Sequence, residues 1–249
     1  MSAQTRLAPV IAHDAIPDTQ GSELIFPELT CQLYVSKLTC LVGPHRSQLR
    51  AYLLMLAGIY QASVGKVEVF GQSISGLNQQ QWRKLRCQIG YLSGAAPLQS
   101  GQNGLMNVML PALYHANWPF QKTIDKAQAL LSELHCHFEY TAFPAQLNSF
   151  QKAQMSLARA LLLDPALLIL DVPFNDLGAK EREKMGELLA THQCQRTVCM
   201  IGGLQYPHFL ADHADQIIFI SEHKIINFNG WTSFSQSEDA DVKELLSVL

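Results

Sequence analysis

The runs "LTCLVG" at 38–43 and "ALLILDVP" at 166–173 are apolar almost without a break. A strand with one wet face alternates apolar and polar side chains, whereas these do not, so both of their faces must be covered. Strands of that kind belong to parallel sheets, and a parallel pair needs a crossover between its members, usually a helix. The intervening sequence supplies such helices. "SQLRAYLLMLAG" (47–58) carries apolar residues at helical spacing and stops at Gly58, and "SFQKAQMSLARALLLDP" (149–165) is a long helix ended by Asp-Pro. Strands alternating with helices predict an α/β fold with a mostly parallel sheet.

Other segments fill in the plan. "TCQLYVS" (30–36) alternates as a half-buried strand does, and "GKVEVFGQSI" (65–74) reads as strand, glycine turn and strand. Together 24–36 and 65–74 predict an antiparallel edge, while 1–22 reads as a loose start or a first edge strand. "NQQQWRKLRC" (78–87) is helical and "IGYLSG" (89–94) returns to strand. Prolines at 97, 111, 119 and 144 mark a middle of different character, with helices expected over 104–116 and 122–138. "AKEREKMGELLATHQ" is a charged surface helix, "TVCMIGG", "QIIFIS" and "KIINFNG" are three further strands, and "DADVKELLSVL" is a closing helix. The boundaries expected are an N-terminal segment 1–23, an α/β core of 24–94 and 164–249, and an inserted helical subdomain of 95–163. No repeat of 20–50 residues is visible.

Composition narrows the function. With 18 Lys and Arg against 21 Asp and Glu, the formal net charge is −3, which gives no support to nucleic-acid binding. Six cysteines are scattered without a CxxC pair, and the first twenty residues lack an apolar core, so reduced thiols in a cytoplasmic chain are expected. The apolar runs fall far short of the ~18 residues that span a bilayer. "HCH" at 135–137 looks like a metal cluster, but adjacent residues on a helix point apart, and an ordinary helix end is the simpler reading.

The order of segments from about 24 to 230 resembles the nucleotide-binding subunit of ATP-binding cassette (ABC) transporters. "GPHRSQLR" stands at the phosphate loop, "GKVEVFGQSI" at the strand and turn after the first helix, and "IGYLSG" at the segment that normally ends in glutamine. "LNSFQKAQMSLARALLLDP" matches the signature and its helix, "LLILDVPFNDLG" the Walker B strand and D-loop, and "VCMIGG" the strand before the switch histidine. The resemblance implies a P-loop NTPase-type fold, with ATP and Mg2+ as ligands. It also implies a homo- or heterodimer with another ATPase subunit, an integral membrane permease as partner, and a place on the inner face of the cell membrane.

Its departures bear on chemistry. In the family's GxxxxGK[ST] loop, backbone N–H groups cradle phosphates, lysine reaches the outer ones and the hydroxyl binds magnesium. The candidate ligand-binding residues here are Gly43, Pro44, His45, Arg46, Ser47, Gln48, Leu49 and Arg50, of which only Gly43 and Ser47 keep the family's type. Gln48 replaces the second glycine, Leu49 the lysine and Arg50 the magnesium hydroxyl. His45, Arg46 and Arg50 leave weak anion binding at a helix start open; a strand–helix turn without ligand is the plainer alternative. Asp171 stands where the family uses an aspartate to hold magnesium, although an aspartate at a strand end also serves as a hydrogen-bond acceptor. Val172 replaces the glutamate base, Gly94 the γ-phosphate-sensing glutamine, and Gly203, preceded by Gly202, the switch histidine.

The signature LSGGQ becomes "LNSFQ", with Asn148, Ser149 and Phe150 in place of serine and two glycines. Asn148 retains a donor, while Phe150 fills space that glycine leaves open for the facing nucleotide. What the family uses as scaffold (Asp171, Pro173, Asp176, Gln151 and the "LARAL" helix) is kept. The expected function is therefore a degenerate, catalytically silent ABC subunit that acts by binding a partner ATPase or permease. The alternative is a working ATPase with an unorthodox site, in which Arg46 or Arg50 replaces the lysine. Met106, with Met109, Leu110 and Leu113 of the "NVMLPALYHANW" that follows it, reads either as core or as a docking groove.

Overall fold

The structure is a computed structural model that describes residues 8–21, 23–93, 98–136, 139–172, 177–193, 196–201 and 211–247. In chain order its elements are β1 (Val10–Pro17), β2 (Leu29–Leu33), β3 (Leu38–Val42), α1 (Arg46–Leu56), β4 (Ala62–Val69), β5 (Gln72–Ser73), α2 (Gln79–Arg86), β6 (Ile89–Ser93) and α3 (Gly104–His115). They continue with α4 (Phe120–Glu133), α5 (Ser149–Leu161), β7 (Leu167–Asp171), α6 (Ala179–Gln193), β8 (Thr197–Ile201), β9 (Gln216–Ile220), β10 (Ile225–Phe228), α7 (Gly230–Ser235) and α8 (Ala240–Ser247). The described residues fall into two compact units, one from 1–77 with 193–249 and one from 78–192.

In the first unit β3 pairs in parallel with β8 on one side and β9 on the other, and β10 adds an antiparallel edge to β9. All five residues of β3 and of β8 are buried, as runs broken only by Thr39 and Thr197 require. A second, antiparallel sheet in this unit has β1 between β2 and β4, with β5 on the outside. Residues 10–17 are thus neither a loose start nor an edge: β1 has a neighbour on each side. Helix α1 packs against β1, β3, β4 and β8 of this unit, and eight of its residues are buried. It closes on Gly58 at φ +70°, with N–H groups of Gly58 and Ile59 donating to the carbonyls of Met55 and Leu54 at 2.9 and 2.8 Å.

In the second unit β6 and β7 pair in parallel, with Tyr91 opposite Ile169 and Ser93 opposite Asp171. Helix α5 lies on β6, close enough that a Cβ on Gly90 would overlap the Ala160 carbonyl oxygen. Helices α3 and α4 pack on α5. Helix α4 runs 120–133, not 122–138. It stops because His135 turns left-handed at φ +54°, while the N–H groups of His135 and Cys136 close on Ser132 and Leu131. The amide of Gln154 on α5 then donates to the buried C-terminal end of α4 at the Leu134 carbonyl, 3.0 Å away. Of the "HCH" trio, His135 and Cys136 occupy this helix end and His137 lies outside the described residues. No cluster of three or more metal-ligating groups occurs among the described residues.

The "NVMLPALY" segment forms most of α3, with Met109 in the core, Leu110 and the preceding Met106 half-buried, and Leu113 exposed. Asn107 is fully buried there. Its amide donates to the carbonyls of Gln99, Gln102 and Asn103 and its oxygen accepts from the N–H of Gln99, which ties the preceding loop to the helix.

Candidate functional site

The turn that leaves β3 is short. Only Gly43, Pro44 and His45 separate Val42 from the first residue of α1, Arg46. Five of the eight positions from Gly43 to Arg50 are therefore already helical, and the N–H of Leu49 is bonded to the His45 carbonyl at 3.1 Å. His45 occupies the N-cap without a side-chain cap. Its Nε2 lies 3.4 Å from the Glu222 carboxylate, so the imidazole proposed from sequence as an anion attractor faces an acid.

The side chains sort by face. Pro44, His45, Arg46, Ser47 and Arg50 are exposed, whereas Gln48 is fully buried and Leu49 is 5% exposed. The Gln48 amide donates to the carbonyl of Ile25 at 2.6 Å and to that of Ser221 at 3.3 Å. One turn on, the Tyr52 hydroxyl donates to the carbonyl of Pro27, and the ring stands edge-on to Phe26 with centroids 5.7 Å apart. Burial pushes the Tyr52 phenol up from its ordinary value. Gln48 and Tyr52, one helical turn apart, thus fasten the 25–27 segment over α1. From sequence Gln48 reads only as a candidate ligand-binding position where the loop's second glycine is replaced. Its strut function follows from the path of residues 25–27, which no local pattern announces.

Gly43 has a packing reason to exist. A Cβ there would overlap the carbonyl oxygen of Ile220, the last residue of the neighbouring strand β9, and would also crowd the Leu49 side chain. The glycine is required by strand-to-strand approach whether or not a ligand is present.

In the second unit, Asp171 ends β7 at 3% exposure and accepts a hydrogen bond from the Tyr91 hydroxyl at 2.9 Å. Tyr91 was not singled out from sequence; it reaches Asp171 because β6 and β7 run in parallel register. Val172, next along, is 1% exposed and has φ +48°, a left-handed backbone that a β-branched residue adopts only under strain. At the start of α5, Asn148 and Gln151 form a reciprocal capping box: Asn148 Oδ1 accepts from the Gln151 N–H at 2.9 Å and Gln151 Oε1 accepts from the Asn148 N–H at 3.0 Å. Asn148 and Ser149 are exposed and Phe150 is half-buried. Gly94, Pro173, Asp176, Gly202 and Gly203 lie outside the described residues.

With the fold and these segments in place, comparison with known proteins identifies the class. The profile of the family described as ABC transporter matches residues 29–175, more than half of the chain. The chain belongs to the ABC transporter family. Among relatives, the macrolide export ATP-binding/permease protein MacB of Pasteurella multocida is 28% identical over 211 residues, which cover 84% of this chain but 32% of that protein. This chain therefore spans about a third of that longer relative. The ABC transporter ATP-binding protein YtrE of Bacillus subtilis is 21% identical over 201 residues, covering 80% of this chain and 83% of the relative.

Solved structures agree on the fold. The dimeric ABC transporter cassette MJ0796 superposes with a TM-score of 0.74 at 19% identity, covering 87% of this chain and 97% of that one. The cbiO1 protein of Clostridium perfringens, part of the transporter complex cbiONQ, gives 0.77 at 17% identity, with 93% and 92% covered. The mixed α/β architecture with its parallel strands, antiparallel sheet and cassette fold is as the sequence implied.

Proposed function

We propose that this chain is a catalytically silent ABC-type subunit that works by binding. It would pack on another cassette subunit, like or unlike itself, and on an integral membrane permease at the inner face of the cell membrane. In this reading the chain consists of an α/β core of 24–94 and 164–249 and a helical subdomain of 95–163. The relatives' names support the setting: MacB is an ATP-binding/permease protein, and the MJ0796 cassette is dimeric.

The observation that carries the proposal is the burial of Gln48 and Leu49. The family implies bound ATP and Mg2+, and the residues present fit that group poorly. At the lysine position the side chain is apolar and built into the core, and at the second-glycine position a glutamine is held by two backbone carbonyls. Neither group supplies the positive charge that a triphosphate needs, and charge stabilisation is the term that dominates phosphoryl transfer. Val172 offers no proton acceptor, and Asp171 already accepts from Tyr91. The lost general base alone is worth ~10²–10⁴-fold. The exposed Arg46 and Arg50 at the start of α1 support weak, magnesium-free contact with anions at Gly43–Arg50 at most.

Calorimetric titration of the purified chain with ATP and magnesium, followed by a steady-state ATPase assay with its partner subunit, tests this reading. Little or no heat, and turnover indifferent to Asp171→Ala, are expected. Micromolar MgATP affinity together with turnover that requires this chain's Asp171 would refute the proposal and establish a working ATPase with an unorthodox site.

A further inference from the structure

Around the C-terminal end of α3, aromatic rings and cations gather with few acids in the surrounding sequence. Between residues 78 and 127 the chain carries five lysines and arginines (Arg83, Lys84, Arg86, Lys122 and Lys126) against one acid, Asp125, although the net charge of the whole is −3. Asp125 accepts from Gln121 on its own helix at 2.9 Å. Among the described residues none of the five cations is ion-paired.

Elsewhere in the protein lysines do meet carboxylates: Lys37 with Asp215, Lys66 with Glu68, and Lys224 with Asp239. Here they lie over rings instead. Lys122 and Lys126 Nζ stand 5.2 and 5.7 Å from the centroid of the Trp118 ring, and the Arg86 guanidinium stands 5.7 Å from that of Trp82.

The cluster lies within one unit. Arg83 on α2 donates to the Tyr114 carbonyl at 3.0 Å and to Asn117 Oδ1 at 3.4 Å, and Cys87 donates to the His115 carbonyl at 3.6 Å, which pins α2 to the end of α3. Helix α4 begins two residues after Trp118. The same end exposes large apolar side chains: Tyr114 at 69%, Phe120 at 56% and Leu113 at 41%. The local field is visible at His115, whose proton affinity is lowered by burial and further by Arg86 and Arg83.

A merely solvated helix face mixes charge signs and does not present exposed rings. Trp and Tyr with a polar tip, flanked by Lys and Arg, suit a boundary that is apolar on one side and wet and anionic on the other. We propose that α2, the end of α3 and the start of α4 form an adsorption face for the anionic headgroups of a lipid bilayer, with Tyr114, Trp118 and Phe120 entering the headgroup layer and the five cations meeting its phosphates. The face is independent of nucleotide and of any permease. Its failure would leave the silent-subunit reading untouched, and the reverse holds as well.

The test is cosedimentation of the full chain with protein-free vesicles of phosphatidylcholine, with and without phosphatidylglycerol, at low and high salt. Binding only to the anionic vesicles, reversed by salt, is expected. K122E/K126E should lower partitioning more than tenfold, since each interfacial cation is worth about fivefold. Tyr114→Ser, at an exposed site and without charge change, should lower it by a smaller factor. K180E/K184E on the charged helix α6 makes the same charge change and should leave it within about twofold, and circular dichroism of each variant checks folding. The proposal is overturned by absence of phosphatidylglycerol-dependent binding, by an equal fall in both double variants, or by retention on polyglutamate without vesicle binding, which would point to an acidic protein partner.

Discussion

The Tyr91 hydroxyl donates to Asp171 Oδ2 at 2.9 Å, joining neighbouring parallel strands β6 and β7 at the one carboxylate the sequence offers as a magnesium ligand. At 3% exposure Asp171 has little water to replace a lost donor. Removing the hydroxyl with Tyr91→Phe should therefore destabilise the fold by about 1.5–3 kcal/mol, the range for hydrogen bonds to charged groups. Urea denaturation of Tyr91→Phe, Asp171→Ala and the double variant checks it. A coupling near zero in that cycle would mean that the bond contributes nothing to stability.

Restoring the family's residues at 48 and 49 should not restore the family's chemistry. Gln48→Gly removes two hydrogen bonds worth ~0.5–1.5 kcal/mol each and adds a helical glycine costing ~1 kcal/mol. Leu49→Lys forfeits a buried leucine worth ~1.5–3 kcal/mol, part of which the lysine stem recovers. The double variant Q48G/L49K is expected to be less stable than the native chain by about 3–5 kcal/mol and still to give no MgATP heat. Thermal melting and calorimetry on the same preparation read both outcomes.

The parts of the fold that were legible in sequence are those whose pattern is complete within one segment. β3, β7, β8 and β9 announced themselves because burial on both faces forces an almost unbroken apolar run. β1 did not, because its alternation loses phase: His13 and Asp14 are both exposed at a bulge where the pairing register shifts between Ala12 and Ala15, and Asp14 sits at φ +46°. The end of α4 was missed for a related reason, since His135 takes a left-handed position usually filled by glycine. At the candidate site, the residue replacements were legible, but what the replacing side chains do was not. Gln48 finds its acceptors 23 and 173 residues away, and Tyr91 finds Asp171 at a separation of 80. Partners that distant leave no local spacing to read.

Gly43 supplies a sharper contrast between ligand and packing. Its φ lies outside the left-handed region, so the cost of a side chain there comes from space and not from dihedral preference. Gly43→Ala should displace the end of β9 at Ile220 and destabilise by about 1–3 kcal/mol, the range for overpacking. The loss in melting temperature is expected to be the same with and without ATP. A shift that depends on ATP would show that the glycine serves a bound phosphate.

Cys31 on β2, Cys40 on β3 and Cys199 on β8 form a group of buried thiols in the first unit, and Cys136 lies buried at the end of α4. Burial pushes Cys31 and Cys136 from the ordinary 9.0 up to about 12, and Cys199 well above its ordinary value, with Cys31 and Cys40 adding to the effect. The sign follows from linkage. The folded chain holds these protons more tightly than the unfolded chain, so their contribution is fully present below pH 9 and is lost as pH rises from there towards 12. The urea midpoint should fall steeply across that window, and Cys31→Ala should flatten the fall. The same burial predicts an order of labelling: near pH 8 the half-buried Cys87 should react with iodoacetamide well before Cys31, Cys40, Cys136 or Cys199. Mass spectrometry of timed samples reads that order, and early labelling of Cys31 or Cys199 would mean that the sheets open locally at neutral pH far more often than their burial implies.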